Sequence, residues 1–128
     1  MKVLVDTHAY FWWEKNDPRL SAPAREAISD RANEVLVSAV TAWELATKAR
    51  LGKWPGAETV ARDIETTLRE HGFTSLPITL RHAQIAGFLP GRHGDPFDRM
   101  LAAQSQVEDA PLLTADPAFK AFGTRILW

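Results

Sequence analysis

The chain has 128 residues, of which 45% are hydrophobic and 24% charged, and its formal net charge is −1 at pH 7. These values are typical of a globular protein and exclude a disordered, collagen-like or coiled-coil chain, and the balanced charge lacks the basic character of a general nucleic-acid binder. The lack of cysteine excludes disulfide bonds, thiolate metal ligands and a cysteine nucleophile.

No apolar run reaches the roughly 18 residues that a membrane span requires, and Asp6 interrupts the apolar start before a signal-peptide core could form. A chain of this length can build one cooperative hydrophobic core. We therefore expect a cytoplasmic protein without membrane contact, folded as a single domain over residues 1–128.

The first half of the chain alternates short β-branched runs with helical patterns. Thr7 is a candidate N-cap, Ser21 with Pro23 marks a second helix start, and Gly52 marks a helix end. The predicted strands are Lys2–Val5 and Val35–Val37, and the predicted helices are Thr7–Lys15, Ser21 to about Arg31, Val40–Leu51, and Ala57 to near Gly72.

The second half continues this alternation around a loop rich in glycine and proline. The predicted elements are a short strand Phe73–Ile78, a short helix Thr79–Gly87, the loop Pro90–Pro96, a helix from Phe97 past Gln104, and strands Pro111–Thr114 and Arg125–Trp128. Strands joined by helical connections favour a mostly parallel sheet covered by helices on both faces. The sequence thus predicts an α/β fold, a three-layer α/β/α sandwich.

Acidic residues follow two of the predicted strands. Asp6 ends the first strand and Asp116 follows Leu112–Thr114, so both carboxylates are expected at the edge where parallel sheets bind ligands. Each could equally be a helix cap. Glu44 shares a helix face with apolar Val40, which favours a half-buried carboxylate in need of a partner.

Glu44 also has two purely structural interpretations, a capping box opened by Thr41 or an ion pair with Lys48. Two further acids open the helix after the glycine-rich loop. Asp95 before Pro96 is an N-cap pattern, and Asp98 in the first turn gains from the helix dipole.

Several carboxylates that converge without a cation would repel one another, so such a cluster is typical of a hard divalent metal site. Mg²⁺ or Mn²⁺ fits best, and a metal-activated water attacking a phosphodiester is the natural chemistry. We therefore assign no side chain as nucleophile, and we assign neither His8 nor His93 as a general base.

Four segments together resemble a PIN domain, and more narrowly a VapC-type toxin of a type II toxin–antitoxin pair. They are Val5–Thr7, Ser38–Glu44, Asp95–Ala103 and Leu113–Asp116. The resemblance implies a parallel sheet of four or five strands, a Mg²⁺-dependent endoribonuclease for which Mn²⁺ could substitute, and a homodimer. It also implies inhibition by a cognate VapB-type antitoxin, in a heterotetramer or larger assembly.

Carried over by motif, the resemblance puts Asp6, Glu44, Asp98 and Asp116 in the catalytic metal site and makes Asp95 a candidate fifth ligand. It implies supporting roles for Thr7, Ser38, Thr114 and Arg99. Arg99 could instead hold the Asp98 carboxylate or contact a phosphate. The other candidate phosphate contacts are Lys48, Arg50, Lys53, Arg92 and His93, which could equally form a solvated surface.

The aromatic run Tyr10–Trp13 offers more aromatic surface than one helix face can bury. We expect it to line the dimer interface or an antitoxin groove, and full burial of both Trp12 and Trp13 would contradict this.

Three other functions compete with the ribonuclease. A phosphatase with Asp6 as nucleophile is disfavoured because His8 stands where a second acid is expected. A phosphoacceptor domain is disfavoured because Thr114–Asp116 stands where a lysine is expected. A non-catalytic RNA- or protein-binding module on the same fold stays open.

Overall fold

A computed structural model describes residues 1–128, and its centre is a five-stranded parallel sheet. The strands are β1 (Lys2–Val5), β2 (Glu34–Ser38), β3 (Thr74–Leu76), β4 (Leu112–Leu113) and β5 (Ile126–Leu127). Their order is β3-β2-β1-β4-β5, and every neighbouring pair is parallel. The predicted α/β class with a mostly parallel sheet is confirmed.

Alternate residues of the central strands build two separate cores, because successive side chains of a strand point to opposite faces. Val3 and Val5 belong to a cluster of 16 buried residues on one face. Leu4 belongs to a cluster of 10 on the other face, together with Leu101 and Phe119. The sheet is therefore covered on both faces, as the three-layer prediction requires.

Seven α-helices and one 3₁₀ helix connect the strands. They are α1 (Thr7–Glu14), α2 (Ala22–Ser29), α3 (Ala39–Arg50), α4 (Ala57–Arg62), α5 (Ile64–His71), α6 (Leu80–Phe88), α7 (Pro96–Val107) and the 3₁₀ helix Pro117–Phe122. The longest helices have 12 residues, and no helix combines the length and apolar composition needed to cross a membrane.

Of the two candidate caps of α1, Asp6 is confirmed and Thr7 is wrong. Asp6, not Thr7, is the N-cap, because the Asp6 Oδ1 accepts a hydrogen bond of 2.8 Å from the Ala9 amide. Thr7 lies inside the first turn, where its hydroxyl is 3.2 Å from that of Thr41. Carboxylates cap helices at least as well as threonine, and Asp6 occupies the position where the strand ends.

The single helix predicted from Ala57 to Gly72 is two helices, α4 and α5, separated at Asp63. Val60, Ile64 and Leu68 are all buried and keep a spacing of four residues through the break. The apolar pattern is therefore continuous although the backbone is not, which is why helical periodicity did not reveal the break.

Candidate active site

A cleft of about 260 Å³ lies at the carboxyl ends of the central strands. All five acids identified from the sequence line it, namely Asp6, Glu44, Asp95, Asp98 and Asp116. They come from the ends of β1 and β4, from α3, and from the start of α7. The parallel topology thus gathers carboxylates that are up to 110 residues apart in the sequence.

Asp6 is the most strongly perturbed of these acids. Its side chain is buried at the end of β1 with an exposed fraction of only 6%. Burial, together with the charges of Asp98 and Glu44, raises the pKa of the Asp6 carboxyl to about 7, although hydrogen bonds from the Thr114 hydroxyl and the Ala9 amide oppose this rise. Asp6 is therefore both a helix cap and a cleft residue.

Glu44 is buried in α3, with an exposed fraction of 4%. Of its two structural interpretations, the ion pair forms, with Lys48 Nζ 2.5 Å from Glu44 Oε2. The capping box with Thr41 does not form, because α3 begins earlier and Ser38 is its N-cap. Lys48 also lines the cleft, so a cation stands next to the buried carboxylate.

Ser38 supports the site through the helix that carries Glu44. Its hydroxyl oxygen accepts a hydrogen bond of 3.0 Å from the Val40 amide and donates one to Gln104 Oε1 at 2.5 Å. Gln104 lies in α7, the helix that carries Asp98. The pair Ser38 and Gln104 therefore fixes α3 against α7.

The start of α7 presents two half-buried acids. Asp95 is its N-cap, as predicted, and accepts hydrogen bonds from the amides of Phe97 and Asp98 at 2.9 and 3.1 Å. Asp98 Oδ2 lies 2.8 Å from His93 Nε2. Burial raises the pKa of the Asp98 carboxyl, with contributions from Asp95 and Glu44, and the hydrogen bond to His93 opposes this rise.

Arg99 does not hold the Asp98 carboxylate, which was one of its two predicted contacts. Its guanidinium donates hydrogen bonds to four backbone carbonyls, two in the last turn of α6, those of Ala86 and Gly87, and two in the segment between α6 and α7, those of Leu89 and His93. A guanidinium has five N–H donors in one rigid plane, and it can therefore bind several backbone carbonyls that have no helical or strand partner. Arg99 therefore organises the loop that delivers His93 to Asp98.

Thr114 and Asp116 follow β4. Thr114 is buried, and its hydroxyl accepts a hydrogen bond of 3.0 Å from the Asp116 amide while it supports Asp6. Asp116 is exposed at the cleft and caps the 3₁₀ helix, with a bond of 2.9 Å from the Ala118 amide. Like Asp6, Asp116 is thus both a cap and a cleft residue.

The carboxylates line one cleft but do not yet form a coordination shell. No three of the His, Asp and Glu side chains are close enough together to hold a metal ion as they stand. Each is held by a local partner, for example Glu44 by Lys48 and Asp98 by His93. The donor chemistry nevertheless fits Mg²⁺ or Mn²⁺, because the oxygens are hard ligands and a cation would offset the burial and the mutual repulsion that raise the pKa of Asp6 and Asp98.

Sequence reasoning did not foresee several contacts of the cleft. These are the hydrogen bond from the Ser38 hydroxyl to Gln104, the contact between His93 and Asp98, and the stacking of His8 on Trp54. None of these pairs follows a helical or strand period, and two of them join distant parts of the chain. A single sequence therefore carried no signal for them.

The aromatic run on α1 is divided between core and surface. Tyr10 and Phe11 are buried, whereas Trp12 and Trp13 are half-buried. The condition that would contradict a partner surface on this helix is therefore not met, and that surface stays a prediction.

Comparisons with known proteins identify relatives along nearly the whole chain. A family model described as PIN domain matches residues 3–124. Ribonuclease VapC22 of Mycobacterium tuberculosis is 36% identical over 115 residues, which cover 89% of this chain and 86% of that protein.

Among solved structures, VapBC2 from Rickettsia felis, bound to a DNA fragment from its promoter, superposes with a TM-score of 0.71 at 16% identity, covering 98% of this chain and 97% of the matched one. VapBC-1 from nontypeable Haemophilus influenzae gives a TM-score of 0.67 at 19% identity, covering 98% and 96%. These two structures share the fold of the present chain.

Proposed function

This chain belongs to the PIN-domain family, and we propose that it is a metal-dependent endoribonuclease that acts as the toxin of a type II toxin–antitoxin pair. The observation that carries the proposal is the convergence of five carboxylates on one cleft at the carboxyl edge of the sheet. The similarity to a protein named as a ribonuclease, along most of both chains, supports RNA as the substrate.

In this proposal Asp6, Glu44, Asp98 and Asp116 hold Mg²⁺ or Mn²⁺, with Asp95 as a candidate fifth ligand. When bound, the metal supplies an activated water and neutralises charge on the phosphodiester. The chain itself keeps the carboxylates in place: Thr114 holds Asp6, and His93 holds Asp98.

Lys48 has a further part in this proposal. Its ammonium is partly exposed at the cleft and pairs with Glu44. If Glu44 turns toward a cation, Lys48 is released and becomes available to a phosphate oxygen. The ion pair thus keeps both groups near the positions where the reaction needs them.

The proposed partners are a VapB-type antitoxin and a second copy of the chain. The similar structures include VapBC2 and VapBC-1, whose names join a VapB to a VapC. We propose that the antitoxin inhibits the ribonuclease, in a heterotetramer or larger assembly built on a toxin homodimer.

A non-catalytic binding module is the second candidate function. The observation that favours it is that every cleft carboxylate already has a partner within the chain and that no three stand at metal-binding distance. A protein that kept the fold for RNA or protein contact alone would tolerate this arrangement without rearranging.

Cleavage of total cellular RNA by the purified, antitoxin-free protein decides between the two. We expect discrete cleavage with Mg²⁺ or Mn²⁺ that disappears with a chelator and in Asp98→Asn. Asp109→Asn is the matched control, because Asp109 is exposed outside the cleft and has a positive φ of 51° that asparagine tolerates.

Cleavage that persists in the chelator and in Asp98→Asn would contradict the metal mechanism. A folded wild-type protein that binds metal and RNA but cuts nothing would favour the binding module.

A further inference from the structure

One wall of the cleft is aromatic. His8 and Trp12 line the cleft together with the acids. The His8 ring stacks on Trp54 with a centroid distance of 4.5 Å and an interplanar angle of 27°, and it lies 5.8 Å from the ring of Trp12. We refer to His8, Trp12 and Trp54 as the aromatic wall.

The aromatic wall is not required to fill the core. The core beneath it is filled by Tyr10 and Phe11 of the same helix, which are buried, whereas Trp12 and Trp54 pack against that core from outside. His8 is exposed although it stacks on Trp54, so part of its ring is open to solvent at the cleft. A stacked ring that stays exposed beside a cleft offers a surface to a flat ligand.

Two cations lie over the rings of this wall. Lys48 Nζ lies 5.5 Å from the centre of the Trp54 ring, and the Arg19 guanidinium lies 5.3 Å from that of Trp12. Grooves that combine positive side chains with stacking aromatic rings are typical of proteins that bind single-stranded nucleic acid. Lys48 suits one phosphate, the exposed Arg19, which also pairs with Asp17, suits another, and the rings suit the bases.

We propose that a nucleobase next to the scissile phosphate stacks on the aromatic wall, with His8 as the contact surface. The inference rests on the proposed function, because the acids of the cleft place the scissile phosphate. A base inside a duplex is already stacked on its neighbours and cannot reach the wall without being extruded, whereas an unpaired base is free to do so.

Binding, measured separately from cleavage, tests the inference. The Asp98→Asn protein, which is expected not to cut, is titrated with fluorescein-labelled oligoadenylate in Mg²⁺, and the affinity is read by fluorescence anisotropy. Adding His8→Ala should weaken binding about tenfold, since stacking of one base on an aromatic side chain contributes roughly 1–3 kcal/mol. Adding His8→Phe should restore most of the affinity, because phenylalanine keeps the ring.

His71→Ala is the matched control. His71 also stacks on an aromatic ring, that of Phe73, at 5.0 Å and 27°, but it lies outside the cleft. We expect this variant to bind RNA as the parent does. In addition, the same oligonucleotide with abasic riboses, and its duplex with the complementary strand, should bind the parent as weakly as intact RNA binds the His8→Ala protein.

The outcomes separate this inference from the proposed function. Tight binding that is the same for His8→Ala, abasic RNA and duplex would overturn the stacking while leaving the ribonuclease proposal intact, and it would assign the aromatic wall to a protein partner instead. A wild-type protein that does not cut RNA, together with an Asp98→Asn parent that does not bind it, would overturn both. Loss of affinity in His8→Ala that His8→Phe does not reverse would also contradict a stacking role.

Discussion

Burial raises the pKa of the Asp6 carboxyl to about 7, well above the value of about 3.9 expected in the unfolded chain. Between these two values the folded state binds a proton that the unfolded state has lost. The free energy of unfolding therefore falls as the pH rises through this window. Above about pH 7 the whole destabilisation by the ionised Asp6 carboxylate is present. Asp6 thus lowers the stability of the metal-free fold at the position where the proposed chemistry needs a carboxylate.

Asp6→Asn should therefore stabilise the metal-free protein. At pH 8 the gain should reach up to about 4 kcal/mol, since each pKa unit corresponds to about 1.4 kcal/mol, and it should be smaller at pH 5. Asparagine can still accept the capping hydrogen bond of the Ala9 amide, so α1 keeps its N-cap. Urea unfolding at the two pH values in a chelator measures the difference.

Asp116→Asn is the control for this measurement, because Asp116 is also a helix cap at the cleft but is exposed. Asp116→Asn should show no comparable gain in the free energy of unfolding. An equal effect of Asp6→Asn at pH 5 and pH 8 would contradict the assignment of the cost to the Asp6 charge.

The conformation of the segment between α6 and α7 depends on Arg99. Two carbonyls of this segment, those of Leu89 and His93, and two in the last turn of α6 receive hydrogen bonds from one guanidinium. The segment has no strand or helix of its own between residues 89 and 95. Its conformation, and with it the contact of His93 with Asp98, is therefore set by a side chain on the neighbouring helix.

Arg99→Ala should loosen this segment. We expect faster amide hydrogen exchange in residues 89–98 and reduced RNA cleavage, because the carbonyls lose their donors and His93 no longer holds Asp98. Arg99→Lys should not restore either property, since an ammonium cannot reach four carbonyls as a planar fork does.

Arg125→Ala is the comparison for Arg99→Ala, since Arg125 forms only an exposed ion pair with Asp109. It should leave exchange in residues 89–98 unchanged. If Arg99→Ala exchanges at the wild-type rate throughout this segment, the loop is held by other contacts and the assigned role of Arg99 is wrong.

The elements themselves were largely predictable, and the exceptions have identifiable causes. β1 and α7 followed from a β-branched run and from the Asp95–Pro96 cap, because both signals are local. The break at Asp63 was missed because the buried residues keep their spacing across it. The carbonyl partners of Arg99 could not be predicted, because the periodicity of side chains does not indicate which backbone carbonyls an arginine will contact.

The acids that line the cleft could be predicted from the sequence, because parallel strands bring their carboxyl ends to one edge of the sheet. The distances among them could not be found, since they depend on rotamers and partners such as Lys48 and His93. The same holds for the aromatic wall, where Trp54 meets His8 across 46 residues of sequence. Topology is encoded by local patterns, whereas the fine geometry of the cleft comes from contacts between distant segments.

The charge distribution of the whole molecule leads to the last prediction. With a net charge of −1, the protein has no general attraction for RNA, and few cations stand near the cleft, chiefly Lys48 and Arg19. Binding to single-stranded RNA should therefore release few counterions. For about two phosphate contacts, the slope of log affinity against log salt should be about −1.4, since each contact on a single strand contributes roughly −0.7.

A salt titration of the Asp98→Asn protein with labelled oligoadenylate in Mg²⁺ measures this slope. Lys48→Gln should make it shallower by about one contact, roughly 0.7, whereas Arg125→Gln should leave it unchanged, because Arg125 lies outside the cleft and is paired with Asp109. A slope steeper than about −4 would mean that a broad basic surface binds the RNA. In that case the strand would follow a path other than the one that the cleft and its aromatic wall define.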